Sequence, residues 1–238
     1  MNLTIDIGNT RAKIILFDKK TPVYEEILSG NMDKALERIV SQYKPEQCAW
    51  CNVGGNEEKF TQLLKKLPCP TIRLTGLSEV PVQVLYKSKE TLGADRLAAV
   101  LGATSLYPET DLLVIDAGTC ITYDLVDAQG NYYGGNISPG IEMRLKALHH
   151  FTARLPKIEE EGECPEIGDN TETAIRNGVI KGLTYEIEGY VKQWRNTYPH
   201  LKIFLTGGSK FDFSSPLNEE LLTDRYLVAR GLNRLLIP

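Results

Sequence analysis

The sequence predicts an α/β protein of two similar lobes, each a mixed β-sheet with helices, and a cleft between them. Short apolar strand patterns alternate with amphipathic helical stripes along the whole chain. One strand–turn–strand pattern occurs twice: Leu3-Thr4-Ile5-Asp6-Ile7-Gly8-Asn9-Thr10 and Val114-Ile115-Asp116-Ala117-Gly118-Thr119. Its aspartates, 6 and 116, lie 110 positions apart in a chain of 238 residues, an internal repeat with a period near half the length. No low-complexity or linker-like stretch separates the halves, so the expectation is two lobes packed as one unit, residues 1–107 and 108–238.

Each element has a local reason. Leu3 to Phe17 alternates apolar and polar residues around Gly8-Asn9-Thr10, the pattern of a hairpin with a glycine turn. Residues 31–43 carry Met32, Ala35, Leu36, Ile39, Val40 and Tyr43, one apolar helix face with Asn31 as N-cap. A strand over 46–53, a helix over 57–67 and a strand over 70–74 complete the first half. After a loop at 86–91, Gly93-Ala94-Asp95-Arg96 opens a helix that runs to Leu106. The repeat then restarts with a strand over 112–117 and an apolar return strand, 120–126. Helices are expected over 142–148, 171–194 and 226–236, with a strand over 202–205 running into Thr206-Gly207-Gly208.

Composition sets outer limits. Hydrophobic residues make up 42% and charged residues 24%, which fits a globular chain and excludes disordered or fibrous classes. A net charge of −4 without a long basic run argues against nucleic acid as a partner. No apolar run reaches the roughly 18–20 residues of a membrane span, and MNLTIDIGNT lacks the pattern of a signal peptide. Five irregularly spaced cysteines give no disulfide framework, so a cytoplasmic protein with no membrane partner is expected.

Cys48-Ala-Trp-Cys51 is formally a CxxC motif. A zinc site would want a second such pair or two histidines at ligand spacing, and a redox motif would open a helix. CAWCNV instead reads as a strand running into Gly54-Gly55, which makes both cysteines small buried strand residues. His149-His150 has no third ligand and reads as an exposed or capping pair after the helix at 142–148. Glu159 to Glu161 reads as a solvated acidic loop, and the apolar stripe from Ile175 to Trp194 as core or dimer surface.

The repeated turn has the parts for holding phosphate. Glycine lets the backbone approach an anion closely, and successive turn N–H groups form an anion-binding nest. The threonine hydroxyl adds a donor, and the aspartate can hold a cation directly or through water. A single copy is accounted for as an ordinary turn, since Asp, Gly, Asn and Thr favour turns anyway. Two copies, each followed by a return strand, point to a polyphosphate gripped from two sides. Neither GxxxxGK[ST] nor GxGxxG spacing is present.

At these residues the chain resembles the superfamily of acetate kinase, sugar kinases, heat-shock protein 70 and actin, with its actin-like, ribonuclease-H-like lobes. Within it the chain is similar to the type III pantothenate kinase family. The resemblance rests on DIGNTRAK (Asp6 to Lys13), Tyr86 with LGADR (Leu92 to Arg96), VIDAGTCITYD (Val114 to Asp124), GGNISPG (Gly134 to Gly140) and NTETAIRNG (Asn170 to Gly178). These signatures extend over most of the chain, and its length leaves no room for the insertions of the larger superfamily members.

The resemblance implies ATP-dependent phosphorylation of pantothenate, the first step of coenzyme A synthesis, with Mg2+ and with K+ or NH4+. Asp6, Ile7, Gly8, Asn9, Thr10, Arg11, Ala12 and Lys13 would form the first phosphate loop, Asp6 organising the Mg-bound phosphates. Gly118 and Thr119 would supply the second loop, and Asp116 would hold the monovalent cation. Asp95 would accept the proton of the pantothenate hydroxyl. Tyr86, Gly93, Ala94, Arg96 and Thr171 would line the substrate pocket, and Thr206-Gly207-Gly208 would approach adenosine. A homodimer with substrate near the subunit interface is implied as well. Read from the residues alone, Asp95 is also an ordinary first-turn acid and Arg96 a surface ion-pair partner. Two other functions remain open at this point: a non-catalytic transcription accessory protein on the same fold, which would be free to lose Asp6, Asp95 or Asp116, and a kinase for another small molecule, which the LGADR segment argues against for sugars.

Overall fold

The computed structural model describes residues 1–29, 32–208, 211, 213 and 215–237. The expected N-cap Asn31 lies outside them. In chain order the first elements are β1 (Asn2–Ile7), β2 (Ala12–Asp18), β3 (Thr21–Leu28), α1 (Met32–Tyr43), β4 (Gln47–Asn52), α2 (Glu57–Leu64), β5 (Thr71–Arg73) and β6 (Gln83–Val84). A 3₁₀ turn at Lys89–Thr91 precedes α3 (Ala94–Leu106). There follow β7 (Leu112–Ala117), β8 (Cys120–Val126), β9 (Asn131–Pro139), α4 (Ile141–His150), α5 (Thr171–Arg195), β10 (Lys202–Gly207), α6 (Ser215–Glu220), β11 (Leu221–Thr223) and α7 (Leu227–Arg234).

Two compact units emerge, and they do not follow the chain as one cut. The first holds Met1–Thr110, Val126–Gly134 and Tyr226–Pro238; the second holds Asp111–Leu125 and Gly135–Arg225. The closing helix α7 therefore belongs with the N-terminal segment. There it packs against α3, and Asn233 ties it to the strands by accepting from the Asn2 side chain at 2.9 Å and donating to the Lys19 carbonyl at 2.7 Å.

The first sheet runs β3-β2-β1-β4-β5, antiparallel between β1, β2 and β3 and parallel between β1, β4 and β5. The second sheet has six strands in the order β11-β10-β7-β8-β9-β6, with β10 parallel to both β7 and β11. Apart from the added β6, the order repeats that of the first sheet, so the sequence repeat extends well beyond its turn. It is a repeat of a five-stranded sheet. At the start of β9, Asn131 and Tyr132 pair in parallel with Gln83 and Val84 of β6, within the first unit.

Strand alternation assigns the faces of the first sheet. Leu3, Ile5 and Ile7 of β1 join Ile14, Leu16, Leu36, Ile39 and Trp50 in one core cluster. Asn2, Thr4 and Asp6 point to the opposite face, where Ile15 and Phe17 pack with Ala229 of α7. In the second unit Leu113, Ile115, Ile121 and Tyr123 pack with Ile175, Val179, Leu183 and Ile187 of α5. The stripe on this helix is largely core.

The strands β3, β6, β9 and β11 and the helix α6 are not foreseen from the sequence. β3 is an edge strand with Pro22 near its start, and its five half-buried and three exposed residues blur the period-2 signal. β9 contains Gly134-Gly135, which locally reads as a breaker. His149 and His150 form the exposed last turn of α4 rather than following it, and the His149 ring nitrogen Nδ1 lies 2.8 Å from the Leu155 carbonyl.

Candidate active site

The first Asp–Gly turn is closed by the Gly8 N–H donating to the Arg11 carbonyl at 3.0 Å. Ile7 and Ala12 are buried and anchor the turn, while Asn9, Thr10 and Arg11 are exposed. Asp6 lies opposite Lys13 on β2 and opposite Cys51 on β4, so the three side chains form one row across the sheet. The Cys51 thiol donates to Asp6 Oδ1 at 3.4 Å.

The segment after β4 braces this turn. The Val53 N–H donates to the Ile7 carbonyl at 2.9 Å, and Asn52 Oδ1 accepts from the Gly54 N–H at 2.9 Å. A side chain at Gly54 would place its Cβ 2.2 Å from the Gly8 carbonyl oxygen, so only glycine fits this approach.

Helix α3 brings Asp95 toward Asp6. Asp95 occupies the first turn, where the helix dipole favours an anion, and its Oδ1 accepts the Arg96 N–H at 2.8 Å. The two carboxylates interact: desolvation and then the negative charge of Asp95 raise the Asp6 pKa from 3.8 to about 6, against the opposing pull of Lys13 and of the Cys51 hydrogen bond. Burial, with the charges of Asp6 and Asp95, pushes the Cys51 thiol well up, so it keeps its proton and remains a donor.

The expected substrate residues Tyr86 and Arg96 also meet. The Arg96 guanidinium lies 5.7 Å from the centre of the Tyr86 ring, and Arg96 is only 5% exposed, which removes the reading of a surface ion pair. Tyr86 is delivered by β6, where the Leu85 N–H donates to the Tyr132 carbonyl at 2.9 Å. Gly93 and Ala94 stand immediately before Asp95 at the start of α3.

In the second unit Asp116 is half-buried near the end of β7, and Gly118 and Thr119 are exposed in the turn. The Gly118 N–H donates to the Cys120 carbonyl, and the Gly140 N–H to the Thr119 carbonyl, both at 3.0 Å. Gly140 ends the GGNISPG segment, whose hold on the unit is an ion-pair network. Arg144 donates to Ser138 Oγ at 2.5 Å, to the Pro139 carbonyl at 2.8 Å and to Glu186 at 2.5 Å, while Glu186 also accepts from the Tyr123 hydroxyl at 2.8 Å.

Thr206 pairs in register with Asp116, and its hydroxyl donates to the Asp224 carbonyl at 2.8 Å. Gly207, at φ +102°, would bring a Cβ 2.4 Å from the Ala117 carbonyl oxygen, and the Gly208 N–H donates to that oxygen at 3.0 Å. The expected adenosine segment thus lies directly beside the second turn.

Thr171 is exposed at the start of α5. Most of NTETAIRNG is structural. Asn170 and Thr173 form a reciprocal capping box, and Arg176 and Asn177 donate to the carbonyls of Glu163 at 2.9 Å and Pro165 at 2.5 Å.

Missing from the sequence-based set are Cys51 and its brace Asn52-Val53-Gly54. A signal existed: Val53-Gly54-Gly55 and Thr206-Gly207-Gly208 both end a strand in a glycine pair. Among the described residues no three His, Cys, Asp or Glu side chains are grouped to hold a metal. The residues nevertheless fit a divalent cation that arrives with phosphates, because Asp6 and Asp95 are two half-buried carboxylates close enough for their charges to interact. No helix among the described residues is long and apolar enough to cross a membrane.

A duplicated mixed sheet, each copy led by an Asp–Gly turn, is an actin-like fold shared with solved sugar kinases. A solved polyphosphate/ATP-glucomannokinase from Arthrobacter sp. strain KM superposes with a TM-score of 0.51 over 97% of this chain and 94% of its own, at 11% identity. A structure named for the Baf family of transcriptional activators, from Campylobacter jejuni, reaches a TM-score of 0.64 at 26% identity, covering 98% and 96% of the two chains. A family model described as type III pantothenate kinase matches residues 2–193. The chain belongs to the type III pantothenate kinase family. Relatives of that description are 49% identical in Bacteroides fragilis, over 99% of this chain and 97% of theirs, and 40% identical in Porphyromonas gingivalis, over 99% and 97%.

Proposed function

We propose that the protein transfers the γ-phosphoryl group of ATP to the hydroxyl of pantothenate, giving 4′-phosphopantothenate in the first step of coenzyme A synthesis. Family membership names the reaction, and the meeting of Asp6 with Asp95 is the observation in the molecule that supports it. Phosphoryl transfer passes through a loose transition state, so positioning and charge neutralisation carry most of the catalysis. Asp6 would hold the Mg2+ of Mg·ATP, which would supply charge neutralisation at the phosphates.

In this reading the N–H groups of the Asp6 to Lys13 loop cradle phosphate, with Asp6 facing the cation and Lys13 adding positive charge. Gly118 and Thr119 offer a second cradle, and Thr206 to Gly208 approach adenosine. Asp95 orients the substrate hydroxyl and takes its proton late in the transfer. Tyr86, Gly93, Ala94, Arg96 and Thr171 hold pantothenate. The buried Arg96, fixed over Tyr86, suits its carboxylate. Asp116 holds K+ or NH4+. The active form is a cytoplasmic homodimer with no nucleic-acid or membrane partner.

The regulatory alternative is not favoured, since near full-length relatives at 48% and 49% identity are described as kinases. The test is ATP consumption with pantothenate against a panel of other alcohols, run in K+ and in Na+. Turnover with pantothenate alone, supported by K+, is expected. Equal turnover of a different alcohol would overturn the substrate, and full activity in Na+ alone would overturn the role of Asp116.

A further inference from the structure

Cys51 has the composition of a core residue and the neighbours of a site residue. It is fully buried on β4, in register with Asp6, and its thiol lies 3.4 Å from Asp6 Oδ1. Asp6 therefore has the cation Lys13 across from it on one strand and a neutral donor across from it on the other. A hydrogen bond to one carboxylate oxygen restricts rotation of the group and defines the direction of the second oxygen.

We propose that Cys51 is a positioning residue that holds the Asp6 carboxylate in the orientation needed to organise the cation and phosphates of Mg·ATP. This rests on the reading of Asp6 given above. The fold does not by itself demand such a contact. At the corresponding place in the second unit, Thr206 stands in register with Asp116, yet its hydroxyl donates to the Asp224 carbonyl. The contact thus belongs to the first turn and not to the shared sheet. A donor is also required there, because an apolar group would leave Oδ1 desolvated and without this partner. The same segment presses Gly54 onto the turn and ties Val53 to Ile7, so the strand end that carries Cys51 is rigidly attached to the loop it would orient.

The test compares wild type with Cys51→Ala, Cys51→Val and Cys51→Ser. Ala and Val remove the donor, Val while keeping the volume filled, and Ser restores it. Mg·ATP binding is measured by titration calorimetry without acceptor, alongside KM for pantothenate and thermal unfolding. Ala and Val should weaken Mg·ATP binding by roughly 10-fold, the lower end for partners that orient a cation-facing ligand, and leave the pantothenate KM unchanged. Ser should recover most of the loss.

Wild-type Mg·ATP binding in the Val variant would overturn the proposal. So would a Ser variant as impaired as Ala, since that marks a packing role. Should the Ala variant fail to fold, the Val and Ser pair decides alone. Wild-type protein that binds Mg·ATP but does not phosphorylate pantothenate would refute the substrate and leave the Cys51 comparison valid; wild type that does not bind Mg·ATP would refute both.

Discussion

The two Asp–Gly turns share a frame and differ in what faces the aspartate. Each sits between a return strand and a parallel neighbour, and each is pressed by a glycine from that neighbour's end, Gly54 in the first unit and Gly207 in the second. Asp6 faces Lys13 and Cys51, with a second acid close enough to help raise its pKa to about 6. Asp116 stands in register with Thr206, whose hydroxyl is turned to a backbone carbonyl. A duplicated scaffold thus holds the backbone of both turns alike while a few cross-strand side chains give each its own electrostatics. The first turn brings the charges of Asp6, Lys13 and Asp95 together. In the second, Asp116 stands beside the exposed turn residues Gly118 and Thr119.

The sharpest way to break this asymmetry is Asp95→Asn. Loss of a positioned base typically costs 10²–10⁴-fold, so kcat should fall by about three orders of magnitude while Mg·ATP binding survives. Normal turnover in a coupled assay would remove Asp95 from the chemistry. Asp116→Asn should be milder, on the order of 10-fold, and should abolish the difference between K+ and Na+. A variant whose activity still rises with K+ would show that the cation is held elsewhere.

Asp6→Asn separates stability from function. Because the folded-state pKa of about 6 exceeds the ordinary 3.8, protonated Asp6 favours the fold at low pH and that contribution is lost as pH rises through 6. Without nucleotide, the Asn variant should match wild type near pH 4 and be more stable above pH 7, by up to about 3 kcal/mol from the size of the shift. It should also bind Mg·ATP weakly. Urea unfolding at both pH values reads the first effect; a wild type that gains on the variant as pH rises would contradict the desolvation of Asp6 beside Asp95.

The smallest effect probes the shared frame. Gly54→Ala and Gly207→Ala should each destabilise by about 1–3 kcal/mol, since either methyl group meets a backbone oxygen within 2.4 Å. Thermal melts that leave either variant unchanged would mean that the glycine brace is dispensable in that unit.

Much of this was legible before any coordinates. Turn chemistry is local, so Asp6, Gly8, Asp116 and Gly118 declare themselves within a few residues, and the two copies expose the duplication. Some strands were not legible: the edge strand β3 carries Pro22 and mixed burial, and β9, flanked by β8 and β6, hides behind Gly134-Gly135. Cys51 was readable only as a small apolar residue, because its partner Asp6 lies 45 positions away on another strand.

The sequence by itself determined the repeated turns, the acids that end their strands and the family to which the chain belongs, because these reside in short contiguous patterns. Tertiary structure decided which groups meet. Sheet register set Lys13 and Cys51 on either side of Asp6, and the return of α7 to the first unit gave α3, with Asp95 in its first turn, a partner to pack on. The β1–β2 register follows from its local turn, whereas the register of β1 with β4 and the packing of α3 on α7 are settled by contacts between distant segments, which no local pattern of residues encodes.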